Sequence, residues 1–151
     1  MSITLLIADL IVKEALNTGR ANNAAPLAIV VLDSGGHLKV LAREDGASFL
    51  RTDIAFAKAW GALGMGQSSR QLAARAEAQP VFFSSLVPVS QGRMALSAGG
   101  VLCFDVDGSL VGAVGISGDT ADMDEMCALA GLATAGLKPE RLATKQQEAV
   151  K

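Results

Sequence analysis

The chain has 151 residues, half of them hydrophobic and 4% aromatic, with a formal net charge of −2. This length suits one domain that buries roughly 70% of the surface exposed by the unfolded chain. Four basic and two acidic residues lie in 138–151, so this segment carries +2 and the remainder −4. An acidic body with few aromatic side chains argues against nucleic-acid binding.

The amino terminus and the cysteines bear on the cellular compartment. Residues 1–22 lack a basic segment before the apolar run, so neither a signal peptide nor a membrane-spanning helix is predicted. Cys103 and Cys127 lie in apolar segments without the spacing of a zinc site, which predicts buried free thiols and no bound metal. Such thiols are typical of a reducing compartment, so we expect a cytoplasmic protein that makes no membrane contact.

Hydrophobic periodicity predicts the helices in chain order. A first helix is expected over residues 3–22, capped by Ser2 or Thr4. Residues 27–33 are apolar at odd and even positions, which is typical of a strand covered by helices on both faces. Further helices are predicted over residues 49–64, 68–77 and 120–137, with a short helical or irregular stretch between Pro80 and Pro88.

Two segments of the chain share one pattern. Residues 32–38, LDSGGHL, align without a gap on residues 104–110, FDVDGSL. In both, an Asp precedes a Gly by three residues, which is typical of a tight hairpin turn whose Asp accepts hydrogen bonds from the turn amides. The repeat therefore predicts two β-hairpins, with strands over residues 27–33, 38–43, 101–105 and 110–117.

The excess of aliphatic residues predicts that another subunit covers part of the surface, and therefore that the chain forms a homo-oligomer. Helix 50–64 is rich in Ala and Gly. Small residues of this kind permit close contact between helices of neighbouring subunits, so this helix is a candidate for that contact.

His37 is the only histidine, and is therefore the first candidate for a cofactor ligand. In the repeat it occupies the position of Ser109, directly after a turn. A polar residue at a turn exit needs no further role, so both interpretations stay open.

Lys58 is the only charged residue between Asp53 and Arg70. A lone amine on an apolar helix either extends to solvent or meets a carboxylate in a cleft. Arg93 precedes the paired glycines Gly99 and Gly100, which let a ligand or another part of the backbone approach closely. A cleft lined by Lys58 and Arg93 would attract a carboxylate.

Other polar residues follow strand ends. Arg43 and Asp45 come after the second strand, where side chains can face a pocket. Ser117 lies in a strand-to-helix turn that either binds an anion or is capped by Asp119 or Thr120. The chain lacks the sequence motifs of dinucleotide and nucleotide triphosphate sites, nucleophile elbows and zinc proteases.

Several of these motifs together resemble the GlcG/HbpS family, which includes the C-terminal domain of PduO-type adenosyltransferases. The resemblance spans residues 3–135. The motifs are Asp33-x-Gly-Gly-His-Leu, Arg43-x-Asp45-Gly46, Asp53-Ile-Ala-x-Ala-Lys58-Ala59, Arg93, Gly99-Gly100 and Gly112-Ala-Val-Gly115-x-Ser117-Gly118.

The resemblance implies a profilin-like α/β/α sandwich with a five-stranded antiparallel sheet, in homo-oligomers. It also implies haem or corrinoid binding, which some members show. We expect one domain over residues 1–137 and an exposed tail over residues 138–151. Adenosyl transfer is not expected, because the ATP-using domain of PduO proteins is not found in this sequence.

Three functions are compatible with the sequence. The leading hypothesis is a small-ligand-binding protein, with haem or a related tetrapyrrole as the ligand and His37 as a candidate cofactor residue. The second is an isomerase or tautomerase acting on an organic acid, and the third is a structural assembly partner. The candidate ligand-binding residues are Arg43, Lys58, Arg93, Gly99, Gly100 and Ser117, and the candidate catalytic residues are Asp45, Lys58 and Asp124.

Overall fold

The computed structural model describes residues 1–141. Helices and strands begin and end within a few residues of the predicted bounds, and Pro80 starts a regular helix. The predicted tail of residues 138–151 lies mostly outside the described residues. The elements are α1 (Leu5–Ala21), β1 (Ala28–Asp33), β2 (Leu38–Arg43), α2 (Leu50–Met65), α3 (Ser69–Ala78), α4 (Pro80–Val89), β3 (Gly100–Phe104), β4 (Leu110–Ser117) and α5 (Ala121–Thr134).

The two predicted hairpins are confirmed. β1 pairs with β2 and β3 pairs with β4, both antiparallel. Gly36 and Gly108 take positive φ angles of 82° and 77° in the two turns. In each turn one Asp side chain accepts hydrogen bonds from two backbone N–H groups: Asp33 from Gly35 and His37 at 3.0 and 2.9 Å, and Asp105 from Asp107 and Ser109 at 2.9 Å each.

Within residues 1–141 the sheet has four strands in the order β2-β1-β4-β3, so the expectation of five strands is wrong. After α5 the chain returns to the free edge of β3, where Lys138 donates to and accepts from the backbone of Phe104 at 2.9 and 2.8 Å. It then bends at Pro139 and Glu140, because proline fixes its φ angle and donates no hydrogen bond. Within residues 1–141 the pairing of Lys138 with Phe104 is the one β-bridge at the free edge of β3.

Helices cover both faces of the sheet. Alternate residues of a strand point to opposite faces, and the core accordingly divides into two clusters. α2 packs on one face, where Ala55, Ala59 and Ala62 contact Val30 and Ala113 among others. α1 and α5 pack together on the other face, against side chains that include Ile29, Val114 and Ile116. The result is an α/β/α sandwich. Among residues 1–141, no helix is both long and apolar enough to cross a bilayer.

Helix α2 lies unusually close to the sheet. A Cβ atom on Gly115 would stand 1.9 Å from the carbonyl oxygen of Ala55, and one on Gly100 would stand 2.3 Å from that of Lys58. The small residues of α2 therefore serve contact within the subunit, where the sequence suggested contact between subunits.

Gly115→Ala should lower the free energy of unfolding by about 1–3 kcal/mol or more, because the added methyl group forces α2 away from β4. Gly64 in the same helix is the matched control, since a Cβ there meets no atom within 4 Å. Gly64→Ala should raise stability by up to about 1 kcal/mol. Urea unfolding measures both, and equal effects of the two changes would contradict the packing described.

Candidate functional site

The amine of Lys58 is buried where α2, β4 and α5 meet. The Lys58 side chain is 3% exposed. Its Nζ donates hydrogen bonds to the carbonyl oxygen of Ile116 at 2.9 Å and to Oδ2 of Asp124 at 3.1 Å. Of the two placements that the sequence left open for this lysine, the structure has the one beside a carboxylate.

Asp124 completes this buried pair. Its Oδ1 accepts a hydrogen bond from the backbone N–H of Asp119 at 3.0 Å, and its side chain is 1% exposed. Burial lowers the pKa of Lys58 and raises the pKa of Asp124, and the charge of each partner opposes the shift of the other. Neither charged group reaches solvent, and the pair joins α2 to α5.

Gly99 and Gly100 leave the space that this pair needs. A Cβ on Gly99, whose φ is 127°, would stand 2.9 Å from Nζ of Lys58. The N–H of Gly100 donates to Oγ of Ser69 at 2.7 Å. The close approach allowed by the two glycines is thus made by helices of the same chain. Ser117 is also internally bonded, since its Oγ accepts from Arg51 at 3.1 Å.

Arg93 lies elsewhere. Its guanidinium stacks over the ring of Trp60, 4.0 Å from the centroid, and its Nε donates to the carbonyl oxygen of Ser90 at 3.0 Å. Residues two apart on a helix do not share a face, so Trp60 and Lys58 point away from each other. The structure therefore does not bring Lys58 and Arg93 into one carboxylate-binding cleft.

The loop after β2 holds two more of the predicted residues. Arg43 donates to the carbonyl oxygen of Ala47, and Asp45 is exposed. The acid with a clear role is Glu44, which the sequence did not single out. Its carboxylate accepts from the N–H of Leu27 at 2.9 Å and pairs with Arg20. Asp45 and Asp124, the two candidates for proton transfer, thus lie in different environments.

His37 stands at the exit of the β1–β2 turn. Its side chain is 82% exposed, and Nδ1 lies 3.3 Å from Oδ1 of Asp33. Within residues 1–141, His, Cys, Asp and Glu form no cluster of three that could hold a metal ion. Cys103 and Cys127 are buried free thiols, and burial raises the pKa of Cys103 to about 12.

A cleft that the sequence did not predict lies beside β3, and we call it the β3 cleft. Its volume is about 560 Å³. The turn between α2 and α3, the start of α3, the outer side of β3, one face of α5 and residues 139–141 form its walls. The apolar side chains lining it are Val101, Leu102, Phe104, Leu129 and Pro139. None of the predicted site residues lines it.

Backbone groups of β3 face this cleft. Gly100 and Phe104 turn their N–H and C=O groups outward, to Ser69 and Lys138 respectively. Alternate residues of an antiparallel strand direct these groups to the same side, so Leu102 also turns its N–H and C=O outward. Within residues 1–141 neither group of Leu102 has a hydrogen-bond partner, although the residue is only 5% exposed.

Charged side chains form the rim of the β3 cleft. Arg70 binds the Glu125 carboxylate with Nε at 2.9 and 3.0 Å and also pairs with Asp122. Arg141 places its guanidinium 5.9 Å from the centroid of the Phe104 ring. Because two carboxylates already hold Arg70, Arg141 is the rim cation better placed to meet an anionic ligand.

Lys58→Met should lower the free energy of unfolding by about 3–5 kcal/mol at pH 7, because it leaves the Asp124 carboxylate buried without its cation. Without Lys58, the pKa of Asp124 lies further above its value in the unfolded chain. Folding then takes up a proton, so stability is retained at low pH and lost as pH rises through the folded-state pKa. Urea unfolding from pH 4 to pH 7 measures the effect.

The matched control for this pair is the double variant Lys58→Met/Asp124→Asn, in which the amide oxygen can still accept from Asp119. It should recover most of the loss at pH 7. A deficit that is independent of pH and equal in the single and double variants would contradict the structural ion pair.

Comparisons with known proteins find relatives that match most of this chain. The family model described as haem degrading protein HbpS-like matches residues 3–133. An uncharacterised 15.0 kDa protein from the dhaT-dhaS intergenic region of Citrobacter freundii is 28% identical over 103 residues, which are 68% of this chain and 71% of that protein.

Two solved structures share the fold. The crystal structure of a PduOC–haem complex is 21% identical with a TM-score of 0.85, and the match covers 93% of this chain and all of that one. The Klebsiella pneumoniae protein ORFY is 27% identical with a TM-score of 0.78, over 88% of this chain and 90% of that one. Because the family model covers most of this chain, the chain belongs to the family described as haem degrading protein HbpS-like.

Proposed function

We propose that this protein binds haem or a related tetrapyrrole in the β3 cleft. The observation that carries the proposal is the cleft itself, whose volume of about 560 Å³ lies within the range usual for small-molecule sites. Apolar atoms make up most of its exposed lining, although seven of its thirteen lining residues are polar or charged, and ligand sites likewise combine apolar walls with polar groups. The ligand class comes from the family description, which names haem.

The residues of the β3 cleft fit the ring and the carboxylates of such a ligand. Leu102, Phe104 and Leu129 offer apolar contact to a flat ring. The N–H of Leu102 is free within residues 1–141 to donate a hydrogen bond to a carboxylate, and Arg141 on the rim supplies a charge-assisted partner.

The alternative of an isomerase or tautomerase has less support. Its carboxylate-holding and proton-moving residues would have to converge on one substrate. Lys58 and Asp124 are buried against each other, Arg93 stacks on Trp60, and Asp45 is exposed in a loop.

The cytoplasmic location and the domain boundary at residue 137 stay predictions.

Leu129→Asp should weaken the binding of hemin about ten-fold, which is about 1.4 kcal/mol, because it places a carboxylate against the apolar ring. Leu10→Asp on α1 is a matched control, since Leu10 and Leu129 are 38% and 37% exposed on helices and Leu10 does not line the cleft. Absorbance titration with hemin measures binding, and thermal unfolding checks that both variants fold. Equal affinities of the two variants would contradict the cleft as the site.

We also infer that the chain associates with a second copy of itself through α4. Of the other helices and strands in residues 1–141, α4 packs against α3 alone, and Val81, Val87 and Val89 are 84%, 62% and 75% exposed. The segment from Gln79 to Gln91 carries no charged residue. Two copies of this apolar face can therefore meet without repulsion between like charges, as a two-fold interface requires.

Val89→Lys should shift this protein toward smaller species, because a charge at an apolar interface must be desolvated. Val106→Lys is the matched control, since Val106 is also 75% exposed but lies in the β3–β4 turn. Light scattering after size-exclusion chromatography at micromolar concentration measures the mass. A monomeric wild-type chain, or an unchanged oligomer in Val89→Lys, would contradict the interface.

A further inference from the structure

We infer that this chain recognises the ring and carboxylates of its tetrapyrrole and provides no protein ligand to the central iron. This inference rests on the proposed function and adds to it the class of ligand accepted, which includes iron-free porphyrins. The usual side-chain ligands of haem iron are His, Cys, Met and Tyr. The chain has one His, two Cys, five Met and no Tyr, and each of these residues lies within residues 1–141.

His37 is on the far side of the sheet from the cleft. It follows the β1–β2 turn, and β2 is the edge strand opposite β3 in the order β2-β1-β4-β3. Its exposed ring lies beside Asp33. A porphyrin seated on Leu102 and Leu129 is therefore out of reach of the single histidine of the same chain.

The cysteines do not serve either. Cys103 is next to Leu102 in β3, but strand alternation turns its side chain into the core beneath α1 and α5. Burial raises its pKa to about 12, so it stays a neutral thiol, whereas a metal ligand must be a thiolate. Cys127 is buried in the same core cluster, and burial raises its pKa as well.

No methionine lines the β3 cleft. Met123 packs against the core beneath α1, and Met94 contacts Gly61. Met65 and Met126 are next to lining residues in sequence but are not themselves part of the lining. The remaining methionine is Met1, which is 98% exposed.

The polar groups of the cleft instead suit the periphery of the ligand. The N–H of Leu102 and the guanidinium of Arg141 are hydrogen-bond donors, which match carboxylates. The carboxylates of Glu125 and Glu140 also line the cleft, but carboxylates are not among the usual axial ligands of haem iron. The apolar lining contacts the ring in the same way whether or not iron is present. Affinity should therefore depend on the ring and its carboxylates.

The test compares hemin with iron-free protoporphyrin IX on the full 151-residue chain. Absorbance titration is used for hemin and fluorescence titration for protoporphyrin IX. We expect the two dissociation constants to agree within about five-fold, a difference smaller than 1.4 kcal/mol. Leu129→Asp should weaken the binding of both ligands, and His37→Ala should change neither.

The possible outcomes distinguish the inference of iron-independent binding from the proposed tetrapyrrole binding itself. A preference for hemin of more than about five-fold would overturn the inference of iron-independent binding and leave the proposed haem binding in place. If His37→Ala abolished that preference, the iron would be held by His37, with the β1–β2 turn of another copy as its source. Failure of the wild-type chain to bind either porphyrin would instead overturn the proposed function itself.

Discussion

One buried amine joins the layers of this fold. Lys58 extends from α2 on one face of the sheet to Asp124 of α5, whose helix packs on the other face, and bonds to the carbonyl oxygen of Ile116 on the way. A buried charge is tolerated only when it is paired and hydrogen-bonded, so the geometry around this amine is constrained. Gly99 has no side chain because a Cβ atom would meet Nζ of Lys58 and the carbonyl oxygen of Ile116. The N–H of Asp119 satisfies the second oxygen of Asp124, which fixes the turn that starts α5.

The β3 cleft lies at an edge of the sheet that no further strand covers within residues 1–141. An edge strand leaves backbone groups unpaired, and proteins cover them with loops, side chains or further strands. Here Ser69 covers the edge of β3 at Gly100 and Lys138 covers it at Phe104. Leu102 lies between these two supports, and because the chain bends at Pro139 no strand pairs with it within residues 1–141. Within residues 1–141 the edge of β3 therefore borders a cavity with one free backbone donor and one free acceptor, both from Leu102.

The sequence predicted local features well and long-range contacts poorly. The two hairpins were predictable because Asp33 and Asp105 bond only to amides two and four residues away. The partner of Lys58 is 66 residues away, so the sequence left a solvent-facing and a paired lysine as equal alternatives. The β3 cleft was missed because its walls come from separate segments, none of which carries a motif. The one sequence feature that bears on the β3 cleft is Pro139. A proline predicts the end of strand pairing, but that prediction was not drawn for the edge of β3.

The β3 cleft can be examined directly by two-dimensional amide NMR of the ¹⁵N-labelled chain during titration with iron-free protoporphyrin IX, which is diamagnetic. Because the N–H of Leu102 has no partner within residues 1–141, its signal should shift strongly and its hydrogen exchange should slow as ligand is added. The amides of Gln67 and Leu129, which also line the cleft, should shift with it, and that of His37 should not. Ligand-induced shifts centred on the β1–β2 turn around His37, with Leu102 unchanged, would contradict binding in the β3 cleft.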